Sequence, residues 1–372
     1  MATLLTDEIQ KREYPSVLQT ADGRPVAREE WAEHRQEMTE LLERYSYGKT
    51  PRIPVRVWGE SELISNDAYD GRVFRERVRL FFETERGKTS FPVEFFIPKG
   101  EEKPPVFLHI AFRPVPDKYI PVEKITAAGY ALCVVVYTDM MNDDHFGDFS
   151  GGIAEHFGTD EKRGREEWGK IGMWAYGASR VLDYMIESRH DVDTARVAVI
   201  GHSRLGKTAL WCAAQDERFA AAISNDSGYG GAASSRHGAG ERITDFLRSG
   251  SWDWFCERFK DYTGDGEDRK PYDQSLLLAL IAPRYLCVGS ATLDRGADPK
   301  AEFLTTLNAS RAWELLGGRG LVCPDRMPEA GERFYDGDVG YQLRGGVHFL
   351  DPADWDAYIE FLDRKFGRDS TV

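Results

Sequence analysis

Apolar residues follow two different patterns before and after residue 100. Between residues 53 and 99 they alternate with polar residues in three segments, Val55–Trp58, Val73–Phe82 and Phe91–Ile97. This alternation is typical of antiparallel strands that bury one face. An amphipathic helix is predicted before them over Glu29–Tyr45, where apolar residues recur at helical spacing.

After the turn at Pro98–Gly100, nearly continuous apolar runs alternate with segments of helical periodicity. The predicted strands are Val106–Phe112, Tyr130–Tyr137, Val197–Ile200, Phe219–Ser224, Tyr285–Ser290 and Gly320–Cys323. The predicted helices are Pro121–Ala128, Glu167–Arg189, Lys207–Ala214, Lys300–Leu316 and Pro352–Phe366. Such short apolar runs indicate strands that are buried on both faces, and their alternation with helices indicates a mainly parallel sheet.

The sequence therefore predicts an α/β protein, with a mainly parallel central sheet covered by helices on both faces and antiparallel strands at its N-terminal side. We expect one domain over residues 1–372, in which residues 1–50 form an N-terminal extension and helix. Residues 226–270 read as an insertion near the functional site, and residues 138–166, rich in Asp, Gly and His, as a long loop.

Composition narrows the classes of partner. The chain has 62 acidic and 48 basic residues and a net charge of −14, which argues against nucleic acid and anionic membranes. No segment is apolar enough to span a membrane, and the first twenty residues lack the apolar stretch of a signal peptide. These features favour a cytoplasmic protein, with a secreted form whose leader has been removed as the alternative. The five cysteines are scattered without a Cys-x-x-Cys pair, so no metal site is expected.

Ser203 is the leading candidate for chemistry. It lies between the predicted strand Val197–Ile200 and the helix Lys207–Ala214, with Gly201 and Gly206 on either side. Strand, serine at a sharp turn and helix form the nucleophile elbow of α/β hydrolases, although the second glycine stands one place later than in Gly-x-Ser-x-Gly. The alternative interpretation is an ordinary strand-to-helix turn that contains a serine.

A serine nucleophile requires a base and an acid that orients the base. In α/β hydrolases these follow the serine in the order acid, then histidine, and His348 lies in a glycine loop just before the last predicted helix. A loop histidine that caps this helix is the alternative. Asp294 and Asp226 each follow a predicted strand, so the choice of acid stays open, while Asp298 reads as the N-cap of the next helix.

Longer motifs around these residues resemble bacterial glucuronoyl esterases, which form carbohydrate esterase family 15. The resemblance runs from about Trp31 to the C-terminus. The matching motifs are Gly201–Lys207, Ile223–Gly228, Gly230–Ala233, Gly240–Glu241, Trp254–Cys256, Leu277–Pro283, Ala297–Pro299 and Gly340–His348.

This resemblance implies the α/β-hydrolase fold and cleavage of the ester that joins 4-O-methylglucuronic acid on xylan to lignin alcohols. It implies that Ser203 is the nucleophile, His348 the base and Arg204 the support for the oxyanion. It also implies that Lys207 and Glu241 bind sugar hydroxyls; a surface lysine is the alternative for the former. Family members place their acid at either of the two positions occupied here by Asp226 and Asp294. The implied partner is a small or oligosaccharide ester, with neither metal nor organic cofactor.

The chain departs from the family pattern at two places. Bacterial members usually carry a tryptophan at the position of Gly296, and a glycine-rich loop is expected where this chain has Arg113–Pro116. Trp252 or Trp254 is a candidate replacement for the missing aromatic wall, with core packing as the alternative. A glucuronate ester is therefore the first substrate hypothesis. The others are an acetylated carbohydrate or general carboxylic ester, and a catalytically silent carbohydrate-binding relative.

Overall fold

The computed structural model describes residues 4–53, 55–157 and 163–368. Within these residues a ten-stranded sheet runs in the order β1-β2-β3-β5-β4-β6-β7-β8-β10-β9. The strands are β1 (Arg56–Asp67), β2 (Val73–Thr84), β3 (Gly87–Pro98), β4 (Pro105–Ala111), β5 (Ala131–Val136), β6 (Asp193–His202), β7 (Ala221–Asn225), β8 (Tyr285–Ala291), β9 (Arg333–Phe334) and β10 (Val339–Arg344). Strands β4 to β8 and β10 pair in parallel, whereas β1, β2 and β3 pair antiparallel at one edge and β9 at the other.

Helices fill the connections between the strands. They are α1 (Leu4–Lys11), α2 (Trp31–Leu42), the short turn α3 (Ala68–Gly71), α4 (Val122–Ala127), α5 (Tyr137–Met140), α6 (Lys170–Ser188), α7 (Arg204–Gln215), α8 (Ile243–Ser249), α9 (Gln274–Ala279), α10 (Pro299–Ala309), α11 (Arg311–Leu316) and α12 (Pro352–Phe366). Short 3₁₀ segments lie at Arg28–Glu30, Gly152–His156, Ser251–Trp254, Glu257–Tyr262 and Gly264–Arg269, and a π turn at Glu43–Tyr47. No described helix is both long enough and apolar enough to cross a membrane.

The sheet separates two apolar cores. Alternate residues of one strand point to opposite faces, so Val106 and Leu108 of β4 belong to one core and Phe107 to the other. Helices α6 and α7 cover the first face, and α4 and α12 cover the second. The prediction of a mainly parallel sheet buried on both faces, with antiparallel strands at its N-terminal side, is confirmed.

Three predicted elements differ from the structure. Gly320–Cys323 is not a strand, because Leu321 forms only an isolated bridge to Val339. The strand that joins the sheet in this part of the chain is β10, and five of its six residues are buried. The predicted helix Lys300–Leu316 is two helices, α10 and α11, which meet at Ser310. The predicted loop 138–166 contains part of α5 and a 3₁₀ turn, and its residues 158–162 lie outside the described part of the chain.

The parallel strands place their carboxyl ends at one edge of the sheet, where ligands bind in folds of this kind. Ser203 follows β6, Asp226 follows β7, Asp294 follows β8 and His348 follows β10. All four candidates for the catalytic group are therefore carried to the same edge.

Candidate active site

Ser203 occupies a strained turn between β6 and α7. Its backbone has φ 58° and ψ −129°, a conformation that non-glycine residues rarely adopt. Its N–H donates to the carbonyl of Asn225 over 2.9 Å, and its own carbonyl accepts from the N–H groups of Gly206 and Lys207. This is the strained geometry of a nucleophile elbow, so the elbow interpretation replaces that of an ordinary turn.

The two glycines allow strand and helix to cross closely behind the serine. A Cβ atom on Gly201 would lie 2.0 Å from the carbonyl oxygen of Leu205, and one on Gly206 would lie 3.0 Å from Cβ of Ser227. No side chain fits at the first position. The late second glycine thus serves the packing of α7 on the segment after β7.

His348 and Asp294 form a hydrogen-bonded pair at the carboxyl edge of the sheet. Nδ1 of His348 lies 2.5 Å from Oδ2 of Asp294, and the N–H of Ala297 donates to the other carboxylate oxygen. Burial works against the ionised form of Asp294, but the hydrogen bond and charge of His348 outweigh it, so the pKa of Asp294 is lowered overall. The imidazole itself is partly exposed, so a ligand can reach it.

The loops that carry this pair are joined to each other. The N–H of Thr292 donates to the carbonyl of Arg344, and the N–H of Leu293 donates to the carbonyl of Gly346. These bonds continue the pairing of β8 with β10 beyond the sheet. Asp294 and His348 are therefore held opposite each other by backbone hydrogen bonds.

Asp226 lies beside the pair without a hydrogen bond to the imidazole. Its Oδ2 accepts the N–H of Phe349 over 3.3 Å and lies 3.6 Å from Nη2 of Arg344. Burial, followed by the charges of nearby carboxylates, raises the pKa of Asp226 well above its ordinary value. One ligand atom each of Asp226, Asp294 and His348 lie within 4.8 Å of one another, a spacing that would suit a metal ion. In this structure the imidazole Nδ1 is instead engaged by Asp294.

His202 supports His348 at the elbow. The two rings pack at a centroid distance of 4.5 Å, which places the imidazole of His348 against the residue that precedes Ser203. Asn225 donates its amide to the hydroxyl of Tyr358, so its oxygen faces His202 and accepts from Nδ1 over 2.7 Å. Burial lowers the pKa of His202 to about 3, which keeps the ring neutral. These contacts give His202 a structural role beside the serine.

Arg204 is the first residue of α7, where backbone N–H groups have no acceptor within the helix. Its guanidinium stacks on Trp254 at 4.4 Å and forms an ion pair with Asp143. Asp143 also accepts from Nε1 of Trp254 over 2.7 Å and from the hydroxyl of Tyr137 over 2.9 Å. Trp254 is buried beneath the arginine, as its core-packing alternative required. Sequence reasoning missed Asp143, whose only signal was its place in the Asp-rich loop after β5.

That loop has a second anchor. Nζ of Lys170 lies 3.1 Å from Oδ2 of Asp253, and both side chains are completely buried. The same ammonium donates to Oδ1 of Asn142 over 3.1 Å and to the carbonyl of Asp144. The loop segment next to Arg204 is thus fixed from its inner side.

Lys207 and Glu241, the two residues that the resemblance implied for sugar binding, meet in the structure. Nζ of Lys207 donates to the carbonyl of Ser227 over 2.6 Å and lies 3.2 Å from Oε2 of Glu241. The Lys207 side chain is 3% exposed, so the interpretation as a surface lysine is wrong, while the Glu241 side chain is 40% exposed. A charged pair that opens to solvent on one side suits a hydroxylated ligand.

The position of the missing tryptophan is open. A Cβ atom on Gly296 would have Asp294 Oδ1 as its neighbour at 3.6 Å, which is ordinary van der Waals contact. The carbonyl of Gly296 accepts the N–H of Glu241 over 3.0 Å, so this backbone borders the Lys207–Glu241 pair. Trp252 does not fill the gap, because it lies beside Gly147, with the ammonium of Lys260 over its ring.

Glu302, on α10, is a fully buried carboxyl below the site. It accepts from Oγ of Ser290 over 2.5 Å and from the N–H of Gly228 over 2.9 Å. Burial raises its pKa to about 7. Sequence reasoning did not single this residue out, because nothing local distinguishes it from other helical glutamates.

Comparison with known proteins identifies the family. The family model described as "Glucuronyl esterase, fungi" matches residues 83–317. Carbohydrate esterase MZ0003, from an unknown prokaryotic organism, is 35% identical over 96% of this chain and 91% of its own length. The structure of a glucuronoyl esterase from Solibacter usitatus is 35% identical and superposes with a TM-score of 0.86 over 95% of this chain and 98% of that one. A promiscuous family 15 esterase from a marine bacterial metagenome is 34% identical, with a TM-score of 0.84 over 94% and 96%. The chain belongs to the glucuronoyl esterases of carbohydrate esterase family 15 and is a carboxylic ester hydrolase with the α/β-hydrolase fold.

Proposed function

We propose that Ser203, His348 and Asp294 are the catalytic triad of this esterase, and that its substrate is a glucuronate ester on a carbohydrate. The observation that carries the proposal is the 2.5 Å bond from His348 to Asp294, on loops that place the imidazole against the Ser203 elbow. An oriented base beside a strained serine is the arrangement that acyl transfer requires. It also argues against a silent binding role.

The reaction has two steps. Because Nδ1 of His348 is bound to Asp294, Nε2 is the nitrogen that takes the proton of Ser203 as its Oγ attacks the ester carbonyl. The negative charge on the carbonyl oxygen is stabilised by N–H groups at the start of α7, that of Arg204 first. His348 then protonates the departing alcohol, and a water molecule, deprotonated by the same imidazole, releases the acid from Ser203. These residues complete the reaction without a cofactor.

Lys207 and Glu241 orient the sugar in this proposal. The ammonium of Lys207 already donates to two acceptors inside the protein, Ser227 and Glu241. These two bonds fix the direction of its third N–H, which is left to donate to the sugar. The half-exposed carboxylate of Glu241 offers acceptor oxygens for sugar hydroxyls. A uronate hydroxyl between the two residues would fix the ester carbonyl relative to Ser203, which lies one helical turn before Lys207.

A second candidate substrate is an acetylated carbohydrate or a simple carboxylic ester. The open space at Gly296 favours it, because no aromatic ring there restricts the acyl group. A 34% identical relative that is described as promiscuous also supports this broader specificity.

Turnover of benzyl glucuronate and 4-nitrophenyl acetate by the wild type, Ser203→Ala and Ser61→Ala tests the proposal. Ser61 is an exposed serine on β1 and serves as the matched control. We expect Ser203→Ala to lose about 10⁴-fold or more in kcat on the glucuronate and Ser61→Ala to behave like the wild type. Cleavage of acetate alone would favour the second candidate, and full turnover by Ser203→Ala would overturn the triad.

A further inference from the structure

The side chain of Arg344 lies inside the loop that carries His348. Arg344 ends β10, and its guanidinium donates to the carbonyls of Gly345 over 2.9 Å, Val347 over 3.0 Å and Phe349 over 2.7 Å. The last two carbonyls flank His348 on either side. The loop therefore wraps around the guanidinium of Arg344, and His348 lies between the two carbonyls that bind it.

The guanidinium of Arg344 is itself held in place by Asp354. Nε donates to both carboxylate oxygens of Asp354, at 2.9 and 3.1 Å. Asp354 lies in the first turn of α12, where it also accepts the N–H of Asp351 and the side-chain amide of Gln342 on β10. Strand, helix and loop meet at this cation, whose side chain is 16% exposed.

Asp226 attaches to the same cluster from β7. Its Oδ2 accepts the N–H of Phe349 and lies 3.6 Å from Nη2 of Arg344, while its buried Oδ1 has no hydrogen-bond partner among the residues that the structure describes. The contacts of Asp226 therefore run to the loop and to its cation and leave the imidazole to Asp294. A strained backbone, with φ 44°, holds it there.

We propose that Arg344, braced by Asp354 and Asp226, is a positioning residue that holds His348 in line between Ser203 and Asp294. The inference rests on the proposed role of His348 as the base. Residues 345–351 belong to neither strand nor helix. The guanidinium supplies three of the hydrogen bonds that fix this segment, in addition to the backbone bond between Leu293 and Gly346. A lysine would keep the charge but not the planar fork that reaches both flanking carbonyls.

Steady-state kinetics of Arg344→Lys and Arg344→Met on benzyl glucuronate test this inference, with Arg364→Met as the control. Arg364 lies on α12 and forms a partly exposed ion pair with Glu360, away from the catalytic loop. We expect kcat of the methionine variant to fall about 100-fold, because a displacement of the base by about 1 Å has an effect of this size. In the lysine variant, kcat should fall about 10-fold or more while KM stays within about 2-fold of the wild type. The control variant should keep both the kcat and the KM of the wild type.

A double-mutant cycle with His348→Ala separates positioning from a general loss of structure. If Arg344 acts through His348, Arg344→Met should lower the residual activity of His348→Ala by less than about 2-fold. A drop as large as in the wild-type background would overturn the inference, as would a wild-type kcat in the folded lysine variant. Full turnover by His348→Ala itself would instead overturn the proposed function. If the methionine variant does not fold, kcat of the lysine variant, which retains the buried charge, tests the inference.

Discussion

Asp143 and Arg204 form an ion pair that joins the loop after β5 to the residue that follows Ser203. The Asp143 carboxylate also accepts from Trp254 and Tyr137, so the arginine is held between an aromatic face and a fixed negative charge. The side of the site next to Arg204, where we propose that the oxyanion is stabilised, is thus built from two segments far apart in the sequence.

Asp143→Asn should weaken catalysis by displacing Arg204. Asparagine keeps the shape of the side chain and an oxygen acceptor, but it loses the charge that holds the guanidinium. We expect kcat/KM on benzyl glucuronate to fall about 10-fold, the value of one hydrogen bond between charged groups. Asp148→Asn, an exposed position in the same loop, is the control. Equal kinetics in the two variants would contradict this role.

Replacement of the two candidate acids should separate them. Asp294→Asn removes the acceptor that selects the imidazole tautomer, and a loss of about 10⁴-fold in kcat is expected for such a change. Asp226→Asn alters only the support of the loop, so we expect a loss of about 10-fold or less. Single-turnover measurements with 4-nitrophenyl acetate compare the two. The reverse order would assign the orienting role to Asp226.

Gly296→Trp should sharpen the preference for glucuronate. The position has space for a side chain, and its backbone borders the Lys207–Glu241 pair. Stacking of an indole on the sugar contributes about 1 kcal/mol, so KM for benzyl glucuronate should fall about 5-fold. Turnover of 4-nitrophenyl acetate, which has no sugar ring, should change little. A higher KM for glucuronate would show that the site has closed this subsite in another way.

Glu302→Gln should change how stability depends on pH. Burial raises the pKa of Glu302 from its ordinary value of 4.5 to about 7, so the folded protein retains this proton where the unfolded chain releases it. Ionisation of the unfolded chain therefore lowers the free energy of unfolding as pH rises between these two values. Glutamine does not titrate, so the variant should gain stability relative to the wild type on going from about pH 5 to about pH 8.

Thermal unfolding of Glu302→Gln and the wild type at the two pH values measures this difference. Glu60→Gln on the exposed face of β1 controls for the loss of one negative charge. A variant whose Tm stays parallel to that of the wild type across the pH range would refute the assignment of this buried proton to Glu302.

The sheet could be predicted because its strands are short apolar runs, a pattern that burial on both faces imposes. The strand β10 was missed because Gly340 and Gln342 interrupt its apolar character, although both lie within a strand that pairs with β8. Ser203 and His348 could be selected as candidates because a strand–turn–helix segment and a glycine loop are recognisable as local motifs.

The residues that pair with Arg204 and with the loop of His348 are not marked by any motif of their own. Asp143 is 61 positions from the arginine that it pairs with, and Asp226 is 123 positions from the loop that it supports. The choice between Asp294 and Asp226 depends on where two side chains point at adjacent strand ends. Sequence patterns carry spacing along the chain, whereas this choice depends on distances across the sheet.

The buried pair of Lys170 and Asp253 bears on how large a substrate the enzyme can admit. The ammonium of Lys170 also donates to Oδ1 of Asn142 and to the carbonyl of Asp144, and a hydrogen bond to a charged group contributes about 1.5–3 kcal/mol. Movement of the segment around Asp143 away from the body would leave the ion pair intact but would break both of these bonds. The segment around Asp143 is therefore anchored before any substrate arrives, and it sets the space beside Arg204 that a substrate has to fit.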